Sequence, residues 1–88
     1  MTHRASRKFW LLYEALPHEI KTAADDAFAQ LKANPRHPSL QFKKLGSTDF
    51  WSARVTRNYR VLGVQIEEGY LWFWIGSHGE YERLIKRA

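Results

Sequence analysis

The chain has 88 residues, a net charge of +5 and an apolar share of 44% that includes four Trp, four Tyr and five Phe. This length predicts a single domain over residues 1–88, and the aromatic content provides a core that needs no covalent cross-link. The absence of cysteine excludes disulfides, thiolate metal sites and a cysteine nucleophile. Because His3, His18 and His37 lack the spacing of zinc ligands, neither a metal nor a cofactor is expected.

The apolar segments are too short for a membrane protein. The longest run is YLWFWI, whereas a membrane-spanning helix needs roughly 18 apolar residues. The basic start MTHRASRKF is followed by no apolar stretch of signal-peptide length. A cytoplasmic location is therefore expected.

Two helices are predicted in the first half of the chain. Within RASRKFWLLYEALP the apolar residues recur at helical spacing, and Ser6 is a candidate N-cap. Pro17 ends this run or opens the next one, PHEIKTAADDAFAQLKANP, which Asn34 and Pro35 close. The N-terminus is thus expected to be helical, and the two helices are expected to form a hairpin.

The second half is predicted to form strands. LQFKKL, FWSARV, YRVLGVQIE and YLWFWIG follow one another with short connections, which favours an antiparallel meander. Trp72 and Trp74 are expected on one strand face and Phe73 on the other, packing against the helices. HGEYERLIKRA is expected to add a short C-terminal helix. The predicted class is α+β, with the helical hairpin packed on a mainly antiparallel sheet.

Most of the excess positive charge lies in one segment. Residues 43–60 contain five basic side chains and a single acidic one, Asp49. Local positive charge favours a polyanion or an acidic protein as partner. If Arg57 and Asn58 form a two-residue turn, Arg54 pairs with Val61, and Arg54 and Arg60 begin on opposite faces. A shift of one residue would place the two arginines on the same face.

The segments FKKLGSTDFWSARVTRNYRVLG and YLWFWIGSHGEYERLI resemble the RelE/ParE superfamily of bacterial toxins. FWSARVTRNYRV is similar to the motif of the ribosome-dependent endoribonuclease members, and the resemblance covers about the last fifty residues. It implies a RelE-like fold, mRNA cleavage on the ribosome to inhibit translation, and a cognate antitoxin as partner. Members usually open with a β-strand, which the helical pattern at this N-terminus does not match.

The resemblance also implies a set of catalytic residues. Metal-free RNA cleavage needs a proton acceptor for the 2′-hydroxyl, a proton donor for the leaving oxygen and cations for the phosphorane. Arg60 matches the phosphate-binding arginine of the family, although an ion pair with Glu80 or Glu82 is the structural alternative. His78 and Tyr81 follow the last strand, where endonuclease members have catalytic residues. The structural alternative for His78 is an ordinary loop residue, and the alternative for Tyr81 is an aromatic side chain of the core.

The remaining basic residues are candidate RNA contacts. Lys43 and Lys44 occupy a segment where members have either a catalytic carboxylate or paired basic residues, so the general base here would be a lysine or His78. One of the two lysines is expected to face solvent, because neighbours on a strand point to opposite faces. Arg54 is expected to orient substrate or to lie on the surface. Arg57, in the turn, is expected to be a plain surface residue or to contact the RNA backbone.

Two other functions remain open. The first is a ParE-like toxin, which inhibits gyrase by binding and cuts no RNA. The presence of His78 and Tyr81 favours a nuclease over such a gyrase inhibitor. A non-catalytic member would serve mainly to hold its antitoxin, and the basic segment suits an acidic antitoxin tail equally well.

Overall fold

The computed structural model describes residues 2–87 and shows three α-helices around a five-stranded sheet. The elements are β1 (Thr2–Ala5), α1 (Arg7–Glu14), α2 (His18–Ala33), a 3-10 turn (Pro38–Leu40), β2 (Lys43–Lys44), β3 (Phe50–Thr56), β4 (Tyr59–Ile66), β5 (Gly69–Ser77) and α3 (His78–Arg87). The strand order is β1-β5-β4-β3-β2, with every neighbouring pair antiparallel except β1 and β5. The predicted α+β class, helical hairpin and C-terminal helix are confirmed. None of the helices described is long and apolar enough to cross a membrane.

The N-terminal strand was not predicted from the sequence. The expectation that the N-terminus is helical is wrong for β1, which pairs in parallel with β5 from Thr2 opposite Gly69 to Ala5 opposite Trp72. Four residues are too few to display an alternating pattern, so the strand is visible only through its partner. Gly69 permits the pairing, since a Cβ atom there would lie 1.9 Å from the carbonyl oxygen of Thr2.

The helical hairpin has the boundaries that the sequence predicts. The Oγ atom of Ser6 accepts a hydrogen bond from the backbone N–H of Phe9 at 3.2 Å, which makes Ser6 the N-cap of α1. Pro17 lies directly before α2, and Asn34 follows its last residue. Proline is tolerated at the start of a helix but not in its interior, so Pro17 separates the two helices.

The sheet has a buried cluster on each face. The helical hairpin covers one face, where the buried apolar side chains are Leu31, Leu40, Ala53, Tyr70 and Trp72. Helix α3 covers the other face, where the buried side chains are Leu62, Trp74 and Tyr81. A short helix such as α1, with eight residues, is held by this packing rather than by its own propensity.

The expectation that Trp72 and Trp74 share a face is wrong. Trp72 pairs with Gly63 and Trp74 with Leu62, so Phe73 is an extra residue that forms a β-bulge. The bulge sends Trp72 to the hairpin side and Trp74 to the α3 side. Gly63 makes this possible, because a Cβ atom at that position would lie 2.7 Å from the indole ring of Trp72.

His3 links β1 to the aromatic core. Its ring stacks on Tyr70 and Trp72, with centroid separations of 5.8 Å and 6.2 Å. The indole Nε1–H of Trp72 donates a hydrogen bond to Nδ1 of His3 at 3.2 Å, a contact that requires an unprotonated Nδ1. Burial lowers the pKa of His3 from its usual value of 6.5.

Acidification should therefore destabilise the fold through His3. As the pH falls below 6.5 the unfolded chain binds a proton at this position before the folded chain does, and the free energy of unfolding decreases. Urea denaturation of His3→Gln at neutral and mildly acidic pH should show a smaller loss of stability than the wild type. His18→Gln, at an exposed position, is the control and should keep the wild-type pH dependence. Equal pH dependence in all three proteins would contradict this role.

Candidate functional site

The β3–β4 hairpin places Arg54 and Arg60 directly opposite each other. Its turn has two residues, as the sequence predicts, because Thr56 pairs with Tyr59. The next pair along the ladder is Arg54 with Arg60. Side chains that face each other in this way have Cβ atoms about 4.5–5.5 Å apart, so the two cations are neighbours.

A β-bulge at Val55 causes this register. Val55 is an extra residue of β3 between the pairs Arg54–Arg60 and Thr56–Tyr59. The expectation that Arg54 pairs with Val61 and begins on the face opposite to Arg60 is therefore wrong. Valine favours strands and gives no local signal of a bulge, so only the pairing with β4 shows the shift.

Backbone carbonyl groups of the turn hold the Arg60 guanidinium. Its Nη1 atom donates hydrogen bonds to the carbonyl oxygens of Thr56 at 2.7 Å, Tyr59 at 3.1 Å and Arg57 at 3.3 Å. Among residues 2–87 the side chain makes no ion pair with Glu80 or Glu82, and its hydrogen bonds all come from Nη1. The Nε and Nη2 edge of the fork is left for a ligand, and this edge can bind two oxygens of a phosphate.

The groups around Arg60 shift the pKa of its guanidinium in opposite directions. Burial lowers the pKa of the Arg60 guanidinium, and the charge of Arg54 lowers it further. The charges of Tyr81 and Glu82 raise this pKa. An arginine stays charged at neutral pH despite such shifts, so the pair is a doubly positive site. A bound anion would offset the repulsion between its members.

Helix α3 begins beside this hairpin. The backbone N–H of His78 donates to the carbonyl oxygen of Asn58 in the β3–β4 turn at 2.6 Å. Ser77 caps the helix: its Oγ atom accepts from the N–H of Glu80 at 3.3 Å and donates to the Glu80 carboxylate at 3.0 Å. The N-terminal end of α3, with its positive dipole, is thereby fixed next to the arginine pair.

The His78 ring is oriented by its neighbours on α3. Its Nε2 atom lies 3.2 Å from a carboxylate oxygen of Glu82, one helical turn later. The ring also stacks on Tyr81, with centroids 5.8 Å apart. Nδ1 is turned inward and has no hydrogen-bond partner among the residues described. The side chain is 45% exposed, and Nε2 can exchange a proton with a ligand once its contact with Glu82 opens.

Tyr81 is part of the core on the α3 side. It is 6% exposed and packs with Leu62 and Trp74. Its hydroxyl donates to Oγ of Ser52 at 3.4 Å. The ring therefore supports the surface on which Arg60 and His78 lie, and its predicted catalytic role stays a prediction.

The two lysines of β2 lie on different faces. Lys43 pairs with Ser52, which shares a face with Arg54, while Lys44 pairs with Trp51 on the side of the helical hairpin. Both side chains are exposed. The structure thus brings Lys43 to the face of the arginine pair and directs Lys44 away from it.

Apart from Lys44, the predicted site residues lie together on one side of the sheet, which we call the arginine face. It consists of Arg54 and Arg60, with His78 at the start of α3, Tyr81 beneath them, Lys43 on the neighbouring strand and Arg57 exposed in the turn. The sequence predicts Glu82 only as an alternative ion-pair partner of Arg60, whereas in the structure it contacts His78. Its i,i+4 spacing from His78 was the signal that could have revealed the contact. No sequence pattern indicates the contacts of Ser52 with Tyr81 or of the Asn58 carbonyl group with His78.

Within residues 2–87 there is no group of three or more His, Cys, Asp or Glu side chains that could hold a metal ion. The cations of the arginine face are guanidinium and ammonium groups. These groups stabilise phosphate charge without a metal.

The fold, three helices with a five-stranded mixed sheet, is the RelE-like toxin fold. Residues 18–83 match the family described as the ParE-like toxin domain. The chain belongs to this family. No curated protein sequence matches the chain.

Solved structures show the same fold at low sequence identity. RelE in the RelB–RelE antitoxin–toxin complex of Methanococcus jannaschii is 12% identical, with a TM-score of 0.71 over 92% of this chain and 96% of that one. YafQ of Escherichia coli BL21(DE3) is 12% identical, with a TM-score of 0.72 over 91% and 96%. A match to the RelBE2 toxin–antitoxin complex of Mycobacterium tuberculosis is 21% identical, with a TM-score of 0.65 over 88% and 96%.

Arg60→Ala should weaken the hairpin because three carbonyl groups of the turn lose their shared donor. The expected loss is about 1 kcal/mol, or about 4–8 °C in Tm for a domain of this size. Arg54→Ala is the matched control. It removes the like charge opposite Arg60, so Tm should stay unchanged or rise in low-salt calorimetry. Equal losses in the two variants would contradict the carbonyl clamp.

Proposed function

We propose that this protein is the toxin of a toxin–antitoxin system and that it cleaves mRNA on the ribosome. The observation that carries this proposal is the arginine pair beside the oriented His78 at the start of α3. A doubly positive site next to an imidazole, which can accept or donate a proton, suits a phosphodiester.

The reaction uses the RNA itself as nucleophile. The 2′-oxygen attacks the adjacent phosphorus, the bond from phosphorus to the 5′-oxygen breaks, and a 2′,3′-cyclic phosphate and a free 5′-hydroxyl form. Charge develops on the non-bridging oxygens in the transition state. The Nε and Nη2 edge of Arg60 binds these oxygens, and Arg54 adds a second positive charge from the facing strand.

His78 moves the protons. Its Nε2 atom, which lies 3.2 Å from the Glu82 carboxylate in the free protein, exchanges this contact for one with the RNA and then takes the proton of the 2′-hydroxyl or returns one to the leaving 5′-oxygen. Lys43 lies on the same face and is the second candidate for the acceptor. Tyr81 supports the ring of His78 from below. The 2′-hydroxyl restricts this chemistry to RNA.

The ribosome and an antitoxin are the proposed partners. The arginine face has one histidine and no facing second histidine, so the ribosome is needed to align the 2′-oxygen with the phosphorus. RelE and YafQ, which share the fold, occur in complexes with the antitoxins RelB and DinJ. We infer that an antitoxin neutralises this chain in the same way.

A second candidate is inhibition of gyrase by binding alone. Two observations favour it: the family description names ParE, and the hydroxyl of Tyr81 is enclosed against Ser52. On this reading the arginine face would bind an acidic protein surface and transfer no protons.

Adding the purified protein to a translation reaction should cut the message inside codons, whereas naked RNA at the same protein concentration should survive. Primer extension on the mRNA locates the cuts. If the mRNA stays intact and the protein instead inhibits DNA supercoiling by gyrase, the gyrase-inhibitor function replaces the nuclease.

Arg60→Lys keeps the charge but loses the bidentate contact with phosphate. This variant should cleave mRNA about 10²-fold more slowly.

His78→Gln should slow cleavage by about 10²–10⁴-fold at saturating ribosomes while ribosome binding persists, since the glutamine amide cannot act as a general acid or base. Glu82→Gln should have a smaller effect, because it keeps the imidazole of His78 and alters only the carboxylate that Nε2 contacts in the free protein. Glu80→Gln is the matched control, as Glu80 caps α3 and does not contact His78. Single-turnover rates of the three variants check this. An unchanged rate in His78→Gln would leave Lys43 as the proton acceptor.

A further inference from the structure

Glu82 places a negative charge on the arginine face of the free protein. Its carboxylate lies 3.2 Å from Nε2 of His78. Burial and the charge of Arg54 lower the pKa of the Arg60 guanidinium, and the charges of Tyr81 and Glu82 raise it, so Glu82 acts on both groups. A carboxylate and an RNA phosphate are both anions with oxygen acceptors. Glu82 therefore competes with any phosphate that approaches His78 and Arg60.

Glu82 is not needed to form helix α3. The helix is capped by Ser77 and Glu80, whose side chains hydrogen-bond to each other at 3.0 Å. Within residues 2–87 the Glu82 side chain makes one polar contact, that with His78, and it is 43% exposed. Ion pairs between exposed side chains contribute little to stability. The contact between Glu82 and His78 is therefore weak enough for a ligand to open.

The other nitrogen of the His78 ring lacks a partner in this conformation. Nδ1 is buried and has no hydrogen bond among the residues described. A buried polar nitrogen without a partner destabilises a conformation, because it has lost its hydrogen bonds with water. The contact of Nε2 with Glu82 and the stacking of the ring on Tyr81, with centroids 5.8 Å apart, offset this cost. Without the Glu82 carboxylate, the ring should turn and bring Nδ1 to solvent.

We propose that Glu82 is a latch, which keeps Nε2 of His78 occupied in the free protein until an RNA phosphate displaces the carboxylate. In the closed state Nε2 faces Glu82 and cannot reach a 2′-hydroxyl or a leaving oxygen. A phosphate bound by Arg60 repels the carboxylate, the contact opens and the imidazole is released to the substrate. This inference rests on the proposed function, because the latch regulates the same histidine that the nuclease uses.

The latch restrains the protein most where phosphate is held loosely. Naked RNA is flexible, and each of its phosphates stays beside Arg60 only briefly, so the contact of Glu82 with His78 closes again. A message fixed in the ribosome presents its phosphate at a high effective concentration and keeps the contact open. The latch therefore adds to the ribosome requirement, and its effect disappears once the site is saturated.

Two glutamate variants test the latch without any cleavage. Glu82→Ala removes the carboxylate, and Glu67→Ala, exposed in the turn between β4 and β5, makes the same change in net charge and is the control. The probe is inorganic phosphate. NMR follows its binding through the Nε–H of Arg60 and the ring position of His78 through its NOEs to Tyr81. Glu82→Ala should bind phosphate at least about threefold more tightly and lose these NOEs, whereas Glu67→Ala should match the wild type.

Two results of this comparison would overturn the latch. Equal phosphate affinities in Glu82→Ala and Glu67→Ala would show that Glu82 does not compete with phosphate. Wild-type NOEs between His78 and Tyr81 in Glu82→Ala would show that the carboxylate does not hold the ring, even if phosphate binds more tightly. Glu82 would then be a screening charge only.

Cleavage assays separate the latch from the proposed function. Glu82→Ala should reach half of its maximal cleavage rate at an about threefold lower concentration of mRNA-loaded ribosomes than the wild type, with a smaller change in the single-turnover rate at saturation. A large loss of rate at saturation would make Glu82 a positioning residue and overturn the latch. If no protein cuts mRNA but Glu82→Ala alters phosphate binding and the His78 ring as expected, the nuclease fails and the contact stands. If the wild type cuts mRNA and Glu82→Ala alters neither, the latch fails and the nuclease stands.

Discussion

The pairing of Arg54 with Arg60 across the β3–β4 hairpin is the interaction on which the candidate site depends. Two cations held opposite each other on adjacent strands repel, and the carbonyl groups of the turn offset part of this repulsion by accepting hydrogen bonds from Arg60. The bulge at Val55 creates the pairing. Without the extra residue, Arg54 would pair with Val61 and point toward the helical hairpin, and no doubly positive surface would form.

The same turn also positions the histidine. Because the N–H of His78 donates to the carbonyl oxygen of Asn58, the start of α3 is tied to the hairpin that carries the arginines. Tyr81, buried against Leu62 and Trp74, holds the following turn of α3 on the sheet. The groups that we propose to bind phosphate and to transfer protons are therefore supported by a strand pair and a packed helix. Catalysis requires such rigid support, since small displacements of catalytic groups reduce rates strongly.

The two faces of the sheet carry different kinds of surface. On one face α3 leaves an arginine-rich, polar area at its N-terminal end, and on the other the helical hairpin leaves exposed rings around an apolar cavity. The bulge at Phe73 maintains this division by sending Trp72 and Trp74 to opposite sides. An 88-residue chain can thereby present both a charged site and an apolar site while each face keeps its own buried cluster.

The sequence by itself determined the elements and the chemistry available to them. Ser6, Pro17 and Asn34 mark the helix ends through capping and proline geometry, and the concentration of basic residues in 43–60 located the charged surface. Only the tertiary structure decided the register. Val55 and Phe73 fit any strand equally well, so their bulges exist only in relation to β4, and β1 is a strand only because β5 lies beside it. Which side chains meet on one face depends on pairing between distant segments, and a local pattern contains no information about that pairing.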